Sequence, residues 1–503
     1  MLVLNTDQIR LVEKNCFEKY YNEAQLMCFA GNKCHEAIVN EYGNSLKGAS
    51  VAVLCGDGKN AGDGFIVAKL LYNYGANARI VICNNEPTIS EPKMYFDEAR
   101  SSGVKVENFS DKILNDDFIV DSMFGIGFHG EARAPYNNIF KLVNQSNATV
   151  ISIDTPSGTN SATGEMCENA IKADFTIAIS TLKFAHILPP SNALCGKTVA
   201  VDIGIPKDCY ESTNNYVKTI DFIDVKSCFK PIDKNANKGT NGRQLNICGS
   251  YAMPGAAAIC AKASLKSGVG LLKCVVLDKI YKILASQLNS PIFMPIGDEK
   301  DYFDITCADT VANKTNWADS IVLGCGIGCN ENTKDFVEQI LKNSKKPIIL
   351  DADGINCINQ GIDILKDVKV PVVLTPHPGE MARLISKTIP YVQQNRISVA
   401  KQFAMQNKVI VVLKGANTLV TDGKEVFVNL NGNPGMAKAG CGDMLTGMIG
   451  SFVAQGIEPF DAAKCAVFIH GKCGDLTASQ VSKRGMIVLD MVDRLGALMS
   501  DFE

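Results

Sequence analysis

The sequence contains no CxxC pair, no uninterrupted apolar stretch of about 18 residues and no low-complexity tract or short fixed repeat. It also has little net charge, −3 over 503 residues. Each absence excludes a class of protein. The near-neutral balance argues against nucleic acid or an anionic membrane surface as a partner. The missing apolar run excludes a membrane-spanning helix, so no membrane partner is expected. The opening "MLVLNTDQIRLVEKNC" mixes charges into apolar positions and lacks the pattern of a signal peptide, which gives a cytoplasmic expectation. Nineteen cysteines are present, an odd number, and Cys325 and Cys329 in "GCGIGCN" have one ligand spacing with no second pair to complete a zinc site. Nearly all are read as small buried hydrophobes in a reducing compartment.

What is present is an α/β rhythm. Short β-branched runs alternate with helical patterns along the whole chain, as expected of largely parallel sheets. The first series is "SVAVLC", "ARIVIC", "DDFIVDSMFG", "TVISIDTPSG", "DFTIAIS" and "KTVAVDIG". A second series restarts with "RQLNICGS", "DSIVLGCGIG", "KPIILDADG", "VPVVLTPHPGE" and "KVIVVLKGANT". The length suits two large domains. With the polar segment "DKNANKGTNG" between the two series, the expected domains are 1–225 and 226–503.

In open α/β sheets ligands bind beyond the carboxyl ends of the strands, so the residues that follow each apolar run carry the most information. "VAVLC" runs into "GDGKNAGDG", whose glycines permit close backbone approach and whose helix offers N–H groups to an anion. A tight turn needs such glycines for geometry alone. "VDSMFGIGFHGEAR" and "SIDTPSGTNSATG" end strands with Asp121 and Asp154. Asn60, Asp121, Asp154 and Ser157 are hard oxygen donors of the kind a cation takes; equally, Asp154 and Ser157 form a turn, and Asp63 caps a helix. His129 and His186 have no ligand spacing and read as incidental.

The second half has stronger signals. Asp351, Asp353, His377, Glu380 and Lys414 all stand at strand ends. "NPGMAKAGCGDMLTGMIGSF" then leads small residues Gly440, Cys441 and Gly442 into a helix whose free N–H groups suit nucleotide phosphates. Asp443 is within reach of a hydroxyl brought to that nucleotide and could take its proton. A plain helix cap explains the single acid but not the small residues ahead of it.

The ordered motifs "NAGDGFIVAKLL", "DSMFGIGFHG", "SIDTPSG", "YAMPGAAAICAKASLKSGVGLL", "GCGIG", "LDADGIN", "LTPHPGEMARL", "LKGANT" and "NPGMAKAGCGDMLTG" together resemble the bifunctional NAD(P)H-hydrate repair enzymes over nearly the whole chain. The resemblance implies a Rossmann-like three-layer N-terminal domain that interconverts the R and S epimers of hydrated NADH and NADPH (NADHX and NADPHX). It implies a ribokinase-like C-terminal domain that dehydrates the S epimer using ADP or ATP with magnesium. By the same resemblance, the epimerase substrate is held by Lys59, Asn60, Ala61, Gly62 and Asp63, by Gly125, Ile126, Gly127, Phe128, His129, Gly130 and Glu131, and by Asp154. Asn60, Asp121 and Ser157 hold a potassium ion. Ala256, Gly328, His377 and Asp443 surround the hydrated nicotinamide nucleotide. Lys414, Gly415, Ala416, Asn417, Thr418 and Gly442 surround the adenine nucleotide, with Asp443 as the acid–base residue. Domains of both kinds often assemble, so a homo-oligomer is expected.

Two departures stand out. The family's first loop usually carries paired asparagines and paired glycines, where this chain has Lys59 and Ala61, and Cys441 replaces a serine or threonine. A ribokinase-like small-molecule kinase with a non-catalytic N-terminal binding domain is the alternative, and "LTPHPGEMARL" argues against it. A dehydrogenase is disfavoured, because Asn84 and Asn85 follow "ARIVIC" where an acid would read a ribose.

Overall fold

The computed structural model describes residues 1–214 and 216–503, the side chain of Asn313 apart. The chain divides into two units, Met1–Val217 and Lys218–Glu503. The polar segment 233–242 belongs to the second.

In the first unit the strands β1 (Ser50–Cys55), β2 (Asn77–Ile82), β3 (Lys105–Asn108), β4 (Phe118–Ser122), β5 (Thr149–Ile153), β6 (Phe175–Ile179) and β7 (Lys197–Val201) form one sheet. Every pair is parallel, in the order β3-β2-β1-β4-β5-β6-β7. The order of strands reverses between β1 and β4, which opens a crevice at their carboxyl ends. Side chains alternate across the sheet. Val51, Val53 and Cys55 join Phe65 in one core, while Ala52 and Leu54 join Ile119 and Phe140 in another. Both faces are therefore covered, which is why the strands read as continuous apolar runs.

Helices α1 (Thr6–Lys19) and α2 (Glu23–Tyr42) precede the sheet, and α3 (Asn60–Tyr74) follows β1. Asn5 with Gln8, and Asn22 with Gln25, form reciprocal capping boxes that fix where α1 and α2 begin. Ile9, Val12 and Cys16 of α1 pack against Leu26 and Ala30 of α2.

In the second unit the strands are β8 (Arg243–Ile247), β9 (Leu271–Leu277), β10 (Ile292–Ile296), β11 (Ser320–Leu323), β12 (Ile348–Leu350), β13 (Val372–Leu374), β14 (Ile410–Leu413), β15 (Leu419–Thr421) and β16 (Val426–Val428). They lie in the order β10-β9-β8-β11-β12-β13-β14-β15-β16. The pairs are parallel up to β14, and β15 and β16 then continue as antiparallel neighbours.

Helices α4 (Pro254–Lys266), α5 (Pro378–Leu384), α6 (Cys441–Ala454) and α7 (Pro459–Gln480) matter most for the site. Helices α4 and α6 approach backbone to backbone: a Cβ at Gly447 would stand 2.4 Å from the Cys260 carbonyl oxygen. The glycines and alanines of both helices are what allow this contact. Among the described residues, no helix is long and apolar enough to cross a membrane.

Candidate active sites

At the carboxyl ends of the first unit's strands lies a cavity of about 650 Å³, lined in part by Glu13, Asn60, Asp63, Gly125, Asp154 and Lys183. Its centre is an ion pair. Lys183 Nζ stands 2.5 Å from Asp154 Oδ1, with side chains 2% and 8% exposed, and also donates to the Ile179 carbonyl at 2.5 Å. Asp154 has a left-handed backbone, φ +68°, a conformation that aspartate tolerates better than most residues.

His186 holds that turn. Its Nδ1 accepts from the Lys183 amide at 2.8 Å, which leaves Nε2 as the protonated nitrogen, donating to the Asp154 carbonyl at 2.8 Å. Burial, with Lys183 adding, lowers the imidazole pKa to about 4, so the ring is neutral. Both nitrogens are occupied, and this histidine is a structural clamp on the two charged residues.

Gly125 brings the second loop against this centre, since a Cβ there would lie 3.2 Å from Asp154 Oδ2 and 3.3 Å from Asn60 Oδ1. Lys59 precedes α3 and pairs with Glu23 at 2.6 Å. The helix-cap alternative for Asp63 fails, because Lys59 occupies the N-cap position and Asp63 lies inside α3. Its carboxyl is buried, with Oδ1 lacking a hydrogen-bond partner. Burial pushes it well above the usual carboxylate range, Asp154 and Glu13 add, and Lys183 opposes. Glu13, half-buried, is raised in the same way by burial and then by Asp154.

Beneath the cavity Asp121 is fully buried. It accepts from the Ser157 hydroxyl at 2.5 Å, the Ser157 amide at 2.8 Å, the Ser152 hydroxyl at 2.9 Å and the Met123 amide at 3.3 Å. Ser157 Oγ in turn accepts from the Phe124 amide at 3.0 Å.

Of the two predicted substrate loops, Lys59, Asn60, Asp63, Gly125, Ile126, Gly127 and Phe128 line the cavity, together with Asp154. Ala61 and Gly62 are buried in α3. His129, Gly130 and Glu131 are exposed, and Glu131 accepts from the Glu168 amide at 3.1 Å. Glu13 and Lys183 are neighbours that sequence reasoning missed, while His186, read there as incidental, holds the turn without touching a ligand position. A lysine inside the otherwise apolar "TLKFAHI" is the signal that could have found the second.

In the second unit the strand ends again converge. Asp351 follows β12 and is 1% exposed. It receives Lys414 Nζ at 2.8 Å and the hydroxyls of Thr375 and Thr446 at 2.6 and 2.8 Å. Burial alone would lower the Lys414 pKa, but Asp351 and Glu380 overcome it and raise the value. Lys414 therefore stays charged at the start of α6, where a Cβ on Gly442 would lie 3.2 Å from its Nζ.

Asp443 occupies the first turn of α6. Burial pushes its carboxyl up to about 9, Cys325 and Asp351 add, and Lys414 opposes. A carboxyl so placed holds its proton far more tightly than an ordinary one, and a neighbouring cation draws it back toward the ionised form.

The Gly324–Gly328 loop closes one side. Gly324 has φ +124°, and a Cβ there would be 2.1 Å from the Asp351 carbonyl oxygen, so only glycine fits. The Gly328 amide donates to Asp353 at 2.9 Å, and Gly326 packs on Ala256, whose Cβ would lie 2.8 Å from an added Cβ. His377 caps α5, its Nδ1 accepting from the Gly379 and Glu380 amides at 3.0 and 3.3 Å, while the ring stays half exposed beside the crevice.

The loop of Lys414, Gly415, Ala416, Asn417 and Thr418 is braced by buried Arg396, whose Nη2 donates to the Leu413 and Lys414 carbonyls at 3.1 and 3.2 Å. Sequence reasoning did not find Arg396. Nothing in the periodicity of its helix marks it as buried.

Residues 23–185 match the family described as YjeF-related protein N-terminus, and residues 245–495 match the family described as NAD(P)H-hydrate dehydratase. The chain is 30% identical over 491 residues to the bifunctional NAD(P)H-hydrate repair enzyme Nnr of Moorella thermoacetica, covering 95% of this chain and 92% of that protein. It is 30% identical over 527 residues to the protein of the same name in Thermofilum pendens, covering 100% and 98%. Among solved structures, the ADP/ATP-dependent NAD(P)H-hydrate dehydratase of Bacillus subtilis, co-crystallised with ATP/Mg2+, is similar with a TM-score of 0.50 at 27% identity, covering 57% of this chain and 99% of that one. A ribokinase-like superfamily protein of Enterococcus faecalis, TM-score 0.51 at 24% identity over 57% of this chain and 96% of that one, shares the fold.

Proposed function

The chain belongs to the family of bifunctional NAD(P)H-hydrate repair enzymes, and from that membership we propose that its first unit interconverts the R and S epimers of hydrated NADH and NADPH while its second dehydrates the S epimer at the expense of ADP or ATP. The observation that carries the reading is the position of Asp443, a half-buried carboxyl in the first turn of α6 beside charged Lys414.

In the dehydratase crevice the N–H groups at the start of α6 and the Lys414–Thr418 loop receive the adenine nucleotide. Ala256, Gly328 and His377 border the space for the nicotinamide nucleotide. Magnesium fits here, since the ionised Asp351 carboxylate borders the crevice and the phosphates supply further hard oxygens; when bound it neutralises phosphate charge. Asp443 takes the proton of the ring hydroxyl as that oxygen attacks the terminal phosphorus. Lys414 favours the ionised form of Asp443 that does so. The resulting phosphate ester leaves far more easily than hydroxide, pushed out by the ring nitrogen. Loss of a ring proton then restores NADH or NADPH.

In the epimerase cavity, inversion of a carbon bearing both hydroxyl and ring nitrogen needs a proton donor for the departing oxygen and a base for its return. Asp154 and Lys183 form such a pair at the cavity wall, and Glu13 and Asp63, both shifted by burial toward the protonated form, stand beside it. Potassium fits below them, because Asp121 is a buried carboxylate with no cationic side-chain partner among the described residues. Asn60, Asp121 and Ser157 would hold it, keeping Gly125 and Asp154 in place. A cytoplasmic setting suits nineteen free cysteines. Assembly into a homo-oligomer is part of the proposal and is tested by light scattering of the purified chain.

The decisive experiment incubates the protein with mixed R and S hydrated NADH, magnesium, potassium and either ADP or ATP, following recovery of NADH absorbance. Complete recovery with one nucleotide supports both activities and names the donor. Recovery that stops when the S epimer is spent removes the epimerase, and accumulation of a phosphorylated alcohol instead returns the kinase reading. Replacing potassium with choline should slow epimerisation and leave dehydration of pure S epimer unchanged.

A further inference from the structure

The fold gathers three cysteines that the sequence scatters. Cys248 follows β8, Cys325 follows β11 just beyond Gly324, and Cys260 lies in α4. Their sulfurs all lie within 4.8 Å of one another, and all three residues are buried. Cys325 belongs at the same time to a second group, within 4.8 Å of the Asp351 and Asp443 carboxylates.

Two of the three have a polar neighbour inside an otherwise apolar core. Asn246 Nδ2 donates to Cys260 Sγ at 3.4 Å, and Cys325 Sγ donates to Asp351 Oδ2 at 3.9 Å. With metal–sulfur bonds of about 2.3 Å, the sulfurs of a tetrahedral site stand about 3.8 Å apart, so the trio needs only a small contraction to surround an ion. Magnesium does not compete for such donors, because it takes oxygen.

We propose that Cys248, Cys260 and Cys325 form a three-sulfur site for a thiophilic d10 cation such as zinc, set beside the Asp443 carboxyl through Cys325, which belongs to both groups. On binding, three thiols lose their protons to solvent, three sulfur–metal bonds form as the ion sheds the waters they replace, and no electron is transferred. A cation held on Cys325 then stands beside Asp443 and competes with the substrate proton for its carboxylate, so the metal slows dehydration and leaves epimerisation running. Only this inhibition rests on the proposed dehydratase activity; the site itself does not.

The test titrates the full-length, reduced, metal-free protein with zinc against a chromophoric chelator and examines the product by zinc-edge X-ray absorption. One zinc per chain with three sulfur neighbours at about 2.3 Å is expected. Cys260→Ala should weaken retention at least ten-fold, whereas Cys329→Ala, at an exposed cysteine, should not. Nucleotide binding checks that each variant is folded, and if Cys260→Ala fails to fold, Cys248→Ala takes its place beside the wild-type absorption spectrum.

Failure to retain zinc, fewer than three sulfur neighbours, or retention unaffected by Cys260→Ala overturns the site. Zinc bound by three sulfurs without loss of NADH recovery overturns the part given to Asp443. Should the protein show no dehydratase activity at all, the chelator and absorption readouts still decide the metal question.

Discussion

At the scale of single residues, the structure separates charge that performs chemistry from charge that holds shape. Asparagine matches aspartate in size but cannot take a proton as a carboxylate does, so Asp443→Asn should lower dehydration of the S epimer roughly 10²–10⁴-fold while nucleotide still binds, which single-turnover assays with pure S epimer would measure. Lys183 does both jobs. Lys183→Met should reduce epimerisation about 100-fold and also lower the melting temperature, because Asp154 is left buried without its cation. His470 in α7 gives the clearest pH effect, since burial holds its imidazole at about 4 against an ordinary 6.5. As pH falls below 6.5 the unfolded chain binds the proton and the folded chain does not. Stability is therefore present above that pH and lost progressively down to about 4, by up to about 3 kcal/mol. Denaturant unfolding at pH 7 and pH 5 should show the loss, and His470→Gln should reduce it, with His186, also held at about 4, supplying what remains.

At the scale of elements, the contact between α4 and α6 fixes where the catalytic helix starts. Gly447→Val would drive a side chain into the Cys260 carbonyl, 2.4 Å from the first added atom. Overpacking of this kind should cost about 1–3 kcal/mol, seen as a lower denaturation midpoint, with dehydration falling as the helix shifts. The same elements explain what was legible beforehand. Strands such as β1, β4, β11 and β12 announce themselves as apolar runs ending in glycine or an acid, because both faces are buried and the ligand-facing residues come last. Strand β10 contains Pro295 and β3 carries lysine, glutamate and asparagine, so neither has a pattern to read. The candidate sites divide in the same way. Asp154, Lys414 and Asp443 stand at strand or helix ends and were visible. Glu13, Lys183, Arg396 and the cysteine trio are set by tertiary packing between distant segments, which no local period encodes.

At the scale of the whole molecule, the two units should be separable by mutation. With an equal mixture of epimers, Asp443→Asn should give no NADH yet keep the epimers exchanging, and Lys183→Met should give rapid recovery of the S half followed by a slow phase, both read by chromatography of the epimers alongside absorbance. Both units lie on one polypeptide, and that has a bearing on physiology. Synthesis of one is synthesis of the other, so their ratio is one to one in every cell and under every regulatory condition. How much S epimer accumulates between the two steps is then set by the ratio of their turnover rates alone, and no change in expression can alter that balance.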